Sequence, residues 1–250
     1  MLNLQNIDVQ FDQNHVLQDL SCTIIPGDFI IILGVNGAGK STLFDVIAGK
    51  TKPNQGLVIL EDKDISSLSE VDRSCKITRI FQNTRLNCVG SMTVAQNLAI
   101  AHYNRRTARL VDGMHNMPRH RAELIMQELD MDTSLLDVSM NSLSGGQRQL
   151  IAFVMATQHI PKILLLDEPT AALDPQAATR LLVYAKNFIK KHKITTLFIT
   201  HDPHIALSIG NKIWILEYGK ISKTFTEQDK KNLHPDQLIG HINYQKLSNL

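Results

Sequence analysis

Short apolar runs punctuate the chain, and each stops at a glycine or a polar residue. Phe29-Ile30-Ile31-Ile32-Leu33 stops at Gly34, Lys162 to Leu166 stops at Asp167, and Thr195 to Thr200 stops at His201. Near-continuous apolar content over so few residues predicts parallel strands buried on both faces. Looser alternation over Leu4–Phe11 and Leu20–Ile25, the latter closed by Pro26-Gly27, predicts an antiparallel β layer beside the main sheet. A turn at Pro53–Gly56, a strand at Leu57–Leu60, a polar bend at Glu61–Asp64 and a strand at Lys76–Phe81 follow. Lys212–Leu216 and Lys220–Phe225 read as a closing hairpin around Tyr218-Gly219. Between Asn83 and about Pro161 the texture changes. Apolar residues take helical spacing at Val94, Leu98 and Ala101, then at Ala122, Ile125 and Leu129, which predicts a helical subdomain inserted between two strands of the sheet. A helix from Pro175 to about Lys191 precedes the Thr195 strand, and the polar tail is helical near Pro235–Ile239.

The chemistry starts where the Phe29 run ends. Gly34-Val35-Asn36-Gly37-Ala38-Gly39-Lys40-Ser41-Thr42 lies between that strand and a helix running to Ala48, the context that makes a G-x-x-x-x-G-K-[ST] string a phosphate site. The glycines let successive N–H groups point at one anion, and the helix adds partial positive charge at its start. Lys40 supplies charge for the outer phosphates and Ser41 a hydroxyl for Mg²⁺. The polar elements after the other strands are Gln82, Asp167-Glu168 and His201. In an open α/β sheet, ligands sit beyond the carboxyl ends of the strands, so parallel order predicts these residues on one rim with the loop. Asp167 is then a Mg²⁺ ligand, Glu168 a base for an attacking water, Gln82 an orienter of water or metal, and His201 an imidazole facing the γ-phosphate. Leu143-Ser144-Gly145-Gly146-Gln147 opens a second apolar helix, with Ser144 as its N-cap, and predicts a separate anion site without a lysine. Phe11 reads either as a core residue at a strand end or as an aromatic that stacks on a purine.

Composition narrows the classes. The chain has 250 residues, 43% hydrophobic and 20% charged, with a net charge of +2. That balance argues neither for nucleic acid nor for an anionic membrane surface. Arg105, Arg106, Arg109, Arg119 and Arg121 read as a solvated basic face. Cys22, Cys75 and Cys88 lack metal spacing and read as reduced thiols of a cytoplasmic protein. His201 and His204 flank Pro203 without a nearby cysteine, which disfavours zinc. The start lacks the basic and apolar regions of a signal peptide, and no apolar stretch reaches the ~18 residues of a membrane helix.

On these residues the sequence resembles ATP-binding-cassette (ABC) ATPases over nearly its whole length. In that resemblance Gly34 to Thr42 is the Walker A loop, Gln82 the Q-loop glutamine and Leu143 to Gln147 the signature. Ile163 to Glu168 is Walker B, Ala172-Leu173-Asp174 the D-loop and His201 the switch histidine. The resemblance implies a P-loop NTPase α/β fold: one domain over 1–250, with a RecA-like core at about 1–82 and 162–225, a helical subdomain at about 83–161 and a tail at about 226–250. It implies ATP and Mg²⁺ as cofactors. Gly34, Asn36, Gly37, Ala38, Gly39, Lys40, Ser41 and Thr42 hold the nucleotide, with Phe11 stacked on adenine. Ser41, Gln82 and Asp167 surround the metal, and Glu168, His201 and Gln82 serve catalysis. It implies an ATP-sandwich dimer with a second copy, in which Ser144, Gly145, Gly146, Gln147 and the D-loop residue Asp174 act across the interface. Transmembrane permease subunits, gripped by a groove near Gln82 and the helical subdomain, and an extracytoplasmic solute-binding protein are the implied partners; nucleic acid is not. The implied location is the cytoplasmic face of the cell membrane.

Phe81-Gln82-Asn83, Gly90 to Val94, Arg148 to Thr157 and Lys230-Lys231-Asn232-Leu233 resemble one bacterial importer group, whose permeases are like those for branched-chain amino acids and ribose. Asp167-Glu168-Pro169-Thr170 departs from that group, which often carries His in place of Pro. The leading expectation is the energy-coupling subunit of an importer of a small solute such as an amino acid. The alternatives are a two-chain ABC exporter and a soluble ABC ATPase of translation or DNA repair. Those soluble proteins usually carry two cassettes or a long coiled-coil insertion, and sugar importers usually add a C-terminal regulatory domain for which 250 residues leave no room. A P-loop GTPase or kinase has no role for the signature.

Overall fold

The structure, a computed structural model, describes residues 1–83, 86–102 and 117–243. In chain order the elements are β1 (Leu2–Phe11), β2 (Asn14–Ile24), β3 (Phe29–Leu33), α1 (Lys40–Ala48), β4 (Gln55–Leu60), β5 (Lys63–Asp64), α2 (Glu70–Arg73), β6 (Ile77–Ile80), α3 (Val94–His102), α4 (Arg119–Glu128) and α5 (Gly145–Thr157). They continue with β7 (Ile163–Asp167), α6 (Pro175–His192), β8 (Thr195–Ile199), α7 (Pro203–Ser208), β9 (Lys212–Glu217), β10 (Lys220–Phe225), α8 (Glu227–Lys230) and α9 (Pro235–Asn243). These fall into two compact units. One holds Met1–Arg79, Pro161–Glu168 and the chain from Ile189 onward; the other holds Ile80–Ile160 and Pro169–Phe188.

In the first unit, a six-stranded sheet runs β10-β9-β3-β8-β7-β6 and a four-stranded sheet runs β2-β1-β4-β5 among the described residues. Strands β9, β3, β8 and β7 are mutually parallel, with Ile31 opposite Ile213 and Phe198, and Asp167 opposite Ile199. That register brings the carboxyl ends of β3, β7 and β8 to one rim. β3, β7 and β8 are buried almost throughout, as their apolar runs require. Ile30, Ile32, Leu165, Leu197 and Leu216 form the core with Leu43, Phe44 and Ile47 of α1 and with Leu2, Leu4 and Leu17 of the antiparallel layer.

The position of α1 is fixed at its far end by Arg73. This side chain is buried and donates to the carbonyls of Val46 at 2.8 Å and Ile47 at 2.9 Å, with further bonds to Leu68 and Ser66, both at 3.2 Å. A guanidinium thus bonds the Ile47 carbonyl, which the last turn of the helix leaves open, and joins the Gly49 N–H on that of Val46.

The second unit packs α5 against α3, and α3 and α4 against the 3-10 turn Thr133–Asp137. The sequence placed 169–188 with the sheet core, but this segment clusters with the helices. The reason is aromatic: Phe153 of α5 meets Tyr184 at 5.8 Å and Phe188 at 5.9 Å, both edge to face. Each such pair contributes about 0.5–1.5 kcal/mol beyond area burial.

Other differences are local. β2 begins at Asn14, six residues before the apolar alternation, because exposed Asn14 and His15 pair with Phe11 and Gln10 of β1 ahead of the buried pair of Leu17 with Val9. The bend at Glu61–Asp64 closes into β5, and α2 and α7 are short helices capped by Ser69 and Asp202. Arg119 pairs with Asp137 and Glu123, and Arg121 is exposed; Arg105, Arg106 and Arg109, like residues 244–250 of the tail, lie outside the described residues. Among the described residues, no helix is long and apolar enough to cross a membrane.

Candidate active site

The rim of the first unit collects Gly34–Thr42, Asp167, Glu168 and His201. Lys40 opens α1 and folds back, its ammonium donating to the carbonyls of Gly34 at 2.8 Å and Val35 at 2.9 Å. Burial draws this ammonium below the ordinary lysine range, while the charges of Glu168 and Asp167 oppose the shift. Gly39 has φ +100°, and a Cβ there would lie 2.8 Å from the Val16 carbonyl and 2.9 Å from Leu17 Cδ2. Both the backbone angle and the approach of β2 therefore demand glycine. The loop is tied further by Gly219, whose N–H donates to Ala38 at 3.1 Å and whose carbonyl accepts from Gln18 at 3.2 Å. No side chain caps the start of α1. Its first N–H groups are left for an anion. Asn36, Gly37 and Ser41 are exposed.

Phe11 ends β1 and is 49% exposed, so the core reading of this residue fails. It sits at the tip of the same hairpin whose Val16 and Leu17 rest against Gly39.

Glu168 lies one residue beyond β7 with φ +45°, and its N–H donates to the Ile199 carbonyl at 3.1 Å. Its direction is set by this left-handed turn. A left-handed conformation in a non-glycine residue costs of order 1–3 kcal/mol and clusters at functional sites. Its carboxylate Oε2 is 3.4 Å from Nδ1 of His201, whose side chain is 68% exposed. Asp167 at the end of β7 is buried and accepts a bond of 2.5 Å from Arg79 Nη2. Arg79 is the residue that sequence reasoning missed; an arginine inside the short strand Ile77-Thr78-Arg79-Ile80 is the signal that marks it.

Gln82, Ser144–Gln147 and Asp174 belong to the second unit. Gln82 is exposed, in a bend two residues past β6. The start of α5 is closed by its own capping box: Ser144 Oγ accepts from the Gln147 N–H at 3.2 Å, and Gln147 Oε1 accepts from the Ser144 N–H at 3.0 Å. A Cβ on Gly146 would lie 2.4 Å from that of Ala177, so this glycine also lets the starts of α5 and α6 meet. Asp174 caps α6, accepting from the N–H groups of Gln176 at 3.1 Å and Ala177 at 3.0 Å.

Among the described residues, no group of three or more His, Cys, Asp or Glu can hold a metal. A hydroxyl (Ser41) and a carboxylate (Asp167) are hard oxygen donors too few to cage an ion. They fit Mg²⁺, which keeps water and takes substrate phosphate oxygens beside one or two protein ligands.

The sequence profile of the family described as "ABC transporter" matches residues 17–171. The chain is 32% identical over 250 residues to the "Tyrosine transport ATP-binding protein" of Clostridioides difficile, covering 98% of this chain and 99% of that one. This chain belongs to the ABC transporter family. The cassette is also 34% identical over 232 residues to the "Probable sulfate/thiosulfate import ATP-binding protein CysA" of Chlorella vulgaris, covering 93% of each. In structure it is similar to the dimeric post-hydrolysis state of the ATP-binding cassette MJ0796 bound to ADP and Pi. That likeness has a TM-score of 0.77 and 26% identity, over 91% of this chain and 99% of that one. The cassette is an ATPase of the P-loop α/β fold, with ATP and Mg²⁺ as its cofactors.

Proposed function

We propose that this cassette hydrolyses ATP to drive import of a small solute, most closely an amino acid, through a permease made by other chains. The observation that carries this reading is the end-to-end match to a tyrosine transport ATP-binding protein, joined to the rim that places Lys40, Asp167, Glu168 and His201 at the ends of parallel strands. Of the relatives described above, one is named a transport protein and the other an import protein, which favours import over export or a role in translation or DNA repair. The strings around Gln82, Gly90–Val94 and Lys230–Leu233 support a permease of the branched-chain amino acid and ribose type, served by a solute-binding protein. The cassette then works at the cytoplasmic face of the membrane.

In this reading Phe11 stacks on adenine, and Gly34–Thr42 wraps the phosphates with backbone N–H groups. Lys40 exchanges its two loop carbonyls for phosphate oxygens, a trade of neutral acceptors for charged ones. Ser41, Asp167 and Gln82 would hold Mg²⁺, which would supply positive charge to the phosphoryl group. Glu168 accepts the proton of the attacking water, and His201, beside it, faces the γ-phosphate. Ser144–Gln147 and Asp174 of a second copy complete the site; the exposed Ser144 hydroxyl keeps a hydrogen to donate although its oxygen caps α5.

The test is affinity capture of the Glu168→Gln protein from detergent-solubilised native membranes with MgATP, read by mass spectrometry. Recovery of a multi-span permease supports the proposal and names the system whose solute to assay. Ribosomes, DNA or the cassette alone overturn it.

A further inference from the structure

Arg79 lies on β6, the neighbour of β7 in the sheet, and its side chain is 7% exposed. Nη2 donates to Asp167 Oδ2 at 2.5 Å, and Nη1 bonds Oδ1 of Asp45, which stands on α1, the phosphate-loop helix. The guanidinium also lies 5.7 Å from the ring centre of Phe44 on the same helix. A buried fork of this kind binds carboxylates through fixed geometry, and buried charges persist only when paired. One oxygen of Asp167 is thus engaged by a cation before any metal arrives, and that cation is shared with the helix that carries the phosphate site.

We propose that Arg79 holds Asp167 in reserve, compensating its charge in the nucleotide-free cassette so that a divalent cation enters only together with ATP. The inference rests on the reading of Asp167 as a cation ligand. A bare cation meets a carboxylate already compensated by a guanidinium a few ångström away, and repulsion at that range is strong in a partly buried site. A cation carried by a triphosphate has its charge largely met by phosphate oxygens and needs only the remaining oxygen of Asp167. Asp45 holds the other arm of the fork, so Arg79 also keeps α1 and the end of β7 in fixed relation. Arg79 is therefore a positioning residue, acting on the metal through Asp167.

The probe is Mn²⁺, counted by equilibrium dialysis as the metal retained with the purified chain in excess of that in the protein-free compartment, with and without ATP. The wild-type chain takes up Mn²⁺ with ATP and not without it. Arg79→Met binds Mn²⁺ without nucleotide at least roughly 10-fold more tightly than wild type, as removal of an adjacent positive charge requires. Adding Asp167→Asn to that variant removes the new binding, and Arg79→Lys, which keeps the charge, behaves as wild type. Equal nucleotide-free binding by wild type and Arg79→Met overturns the inference. Should Arg79→Met fail to fold, Asp45→Asn decides, since Asp45 is partly exposed. In that variant Arg79 loses its Asp45 partner and bears more strongly on Asp167, and Mn²⁺ affinity of the ATP-loaded chain drops several-fold; unchanged or tighter binding overturns the inference. A wild-type chain that takes up no Mn²⁺ even with ATP refutes instead the assignment of Asp167 to the metal.

Discussion

At the scale of single residues, the roles proposed for Lys40 and Glu168 separate binding from chemistry. The Lys40 ammonium already sits on two carbonyls of the loop that it serves, so its charge acts in the ground state. Lys40→Ala should lose MgATP affinity by roughly 10-fold or more, as loss of a charge-assisted contact predicts. Equilibrium dialysis checks this, and unchanged affinity contradicts the reading of the loop. Glu168→Gln should keep nucleotide affinity and lose turnover by roughly 10²–10⁴, the contribution of a general base; normal phosphate release removes Glu168 from that role. The thiols make a separate case. Cys22 on β2 is pushed up to about 12 by burial, whereas Cys75 is exposed. The thiolate is the reactive form, so at pH 8 iodoacetamide should modify Cys75 in the native protein and reach Cys22 only after unfolding. Peptide mass mapping checks the order. The loop, the Asp167-Glu168 pair and the Ser144 cap were legible because each is a local string whose backbone demands are written in its own residues. Phe11 was ambiguous because exposure is a tertiary property. Arg79 was hidden because its partners, Asp45 and Asp167, lie 34 and 88 residues away in sequence.

At the scale of elements, the two helices that begin at glycine-rich strings differ in how they begin. α5 closes its own start with Ser144 and Gln147, whereas α1 has no side-chain cap at Gly39. An open start suits a helix that meets phosphate; a closed one suits a helix that presents a preformed surface. The other end of α1 depends on Arg73, and Arg73→Ala leaves the Ile47 carbonyl without its donor and the Val46 carbonyl with the Gly49 N–H alone. The expected loss is about 1–3 kcal/mol, the cost of unsatisfied buried polar groups, seen as a lower urea midpoint. An unchanged midpoint contradicts this account of how α1 is held. Strands buried on both faces were legible from their apolar runs. The early start of β2, the short β5, and helices α2 and α7 were not, because edge pairing and single side-chain caps leave little trace in hydropathy.

At the scale of the whole molecule, the apolar period changes near Asn83 and Pro161, and the compact units break at Arg79–Ile80 and Ile160–Pro161. The place of Pro169–Phe188 in the helical unit leaves no local trace in the sequence, since it turns on the contact of Phe153 with two rings more than thirty residues downstream. The phosphate loop stands in one unit and the Ser144 string in the other. A site built from both is completed by a second copy in the arrangement we propose, and the similar cassette MJ0796 is described as dimeric with ADP and Pi. In that arrangement ATP, held at the Lys40 loop, is closed over by a second cassette. Light scattering of the Glu168→Gln protein in MgATP, with ADP as the comparison, reads this closure as molar mass: twice 28.0 kDa in MgATP and 28.0 kDa in ADP. A mass of 28.0 kDa in saturating MgATP contradicts it.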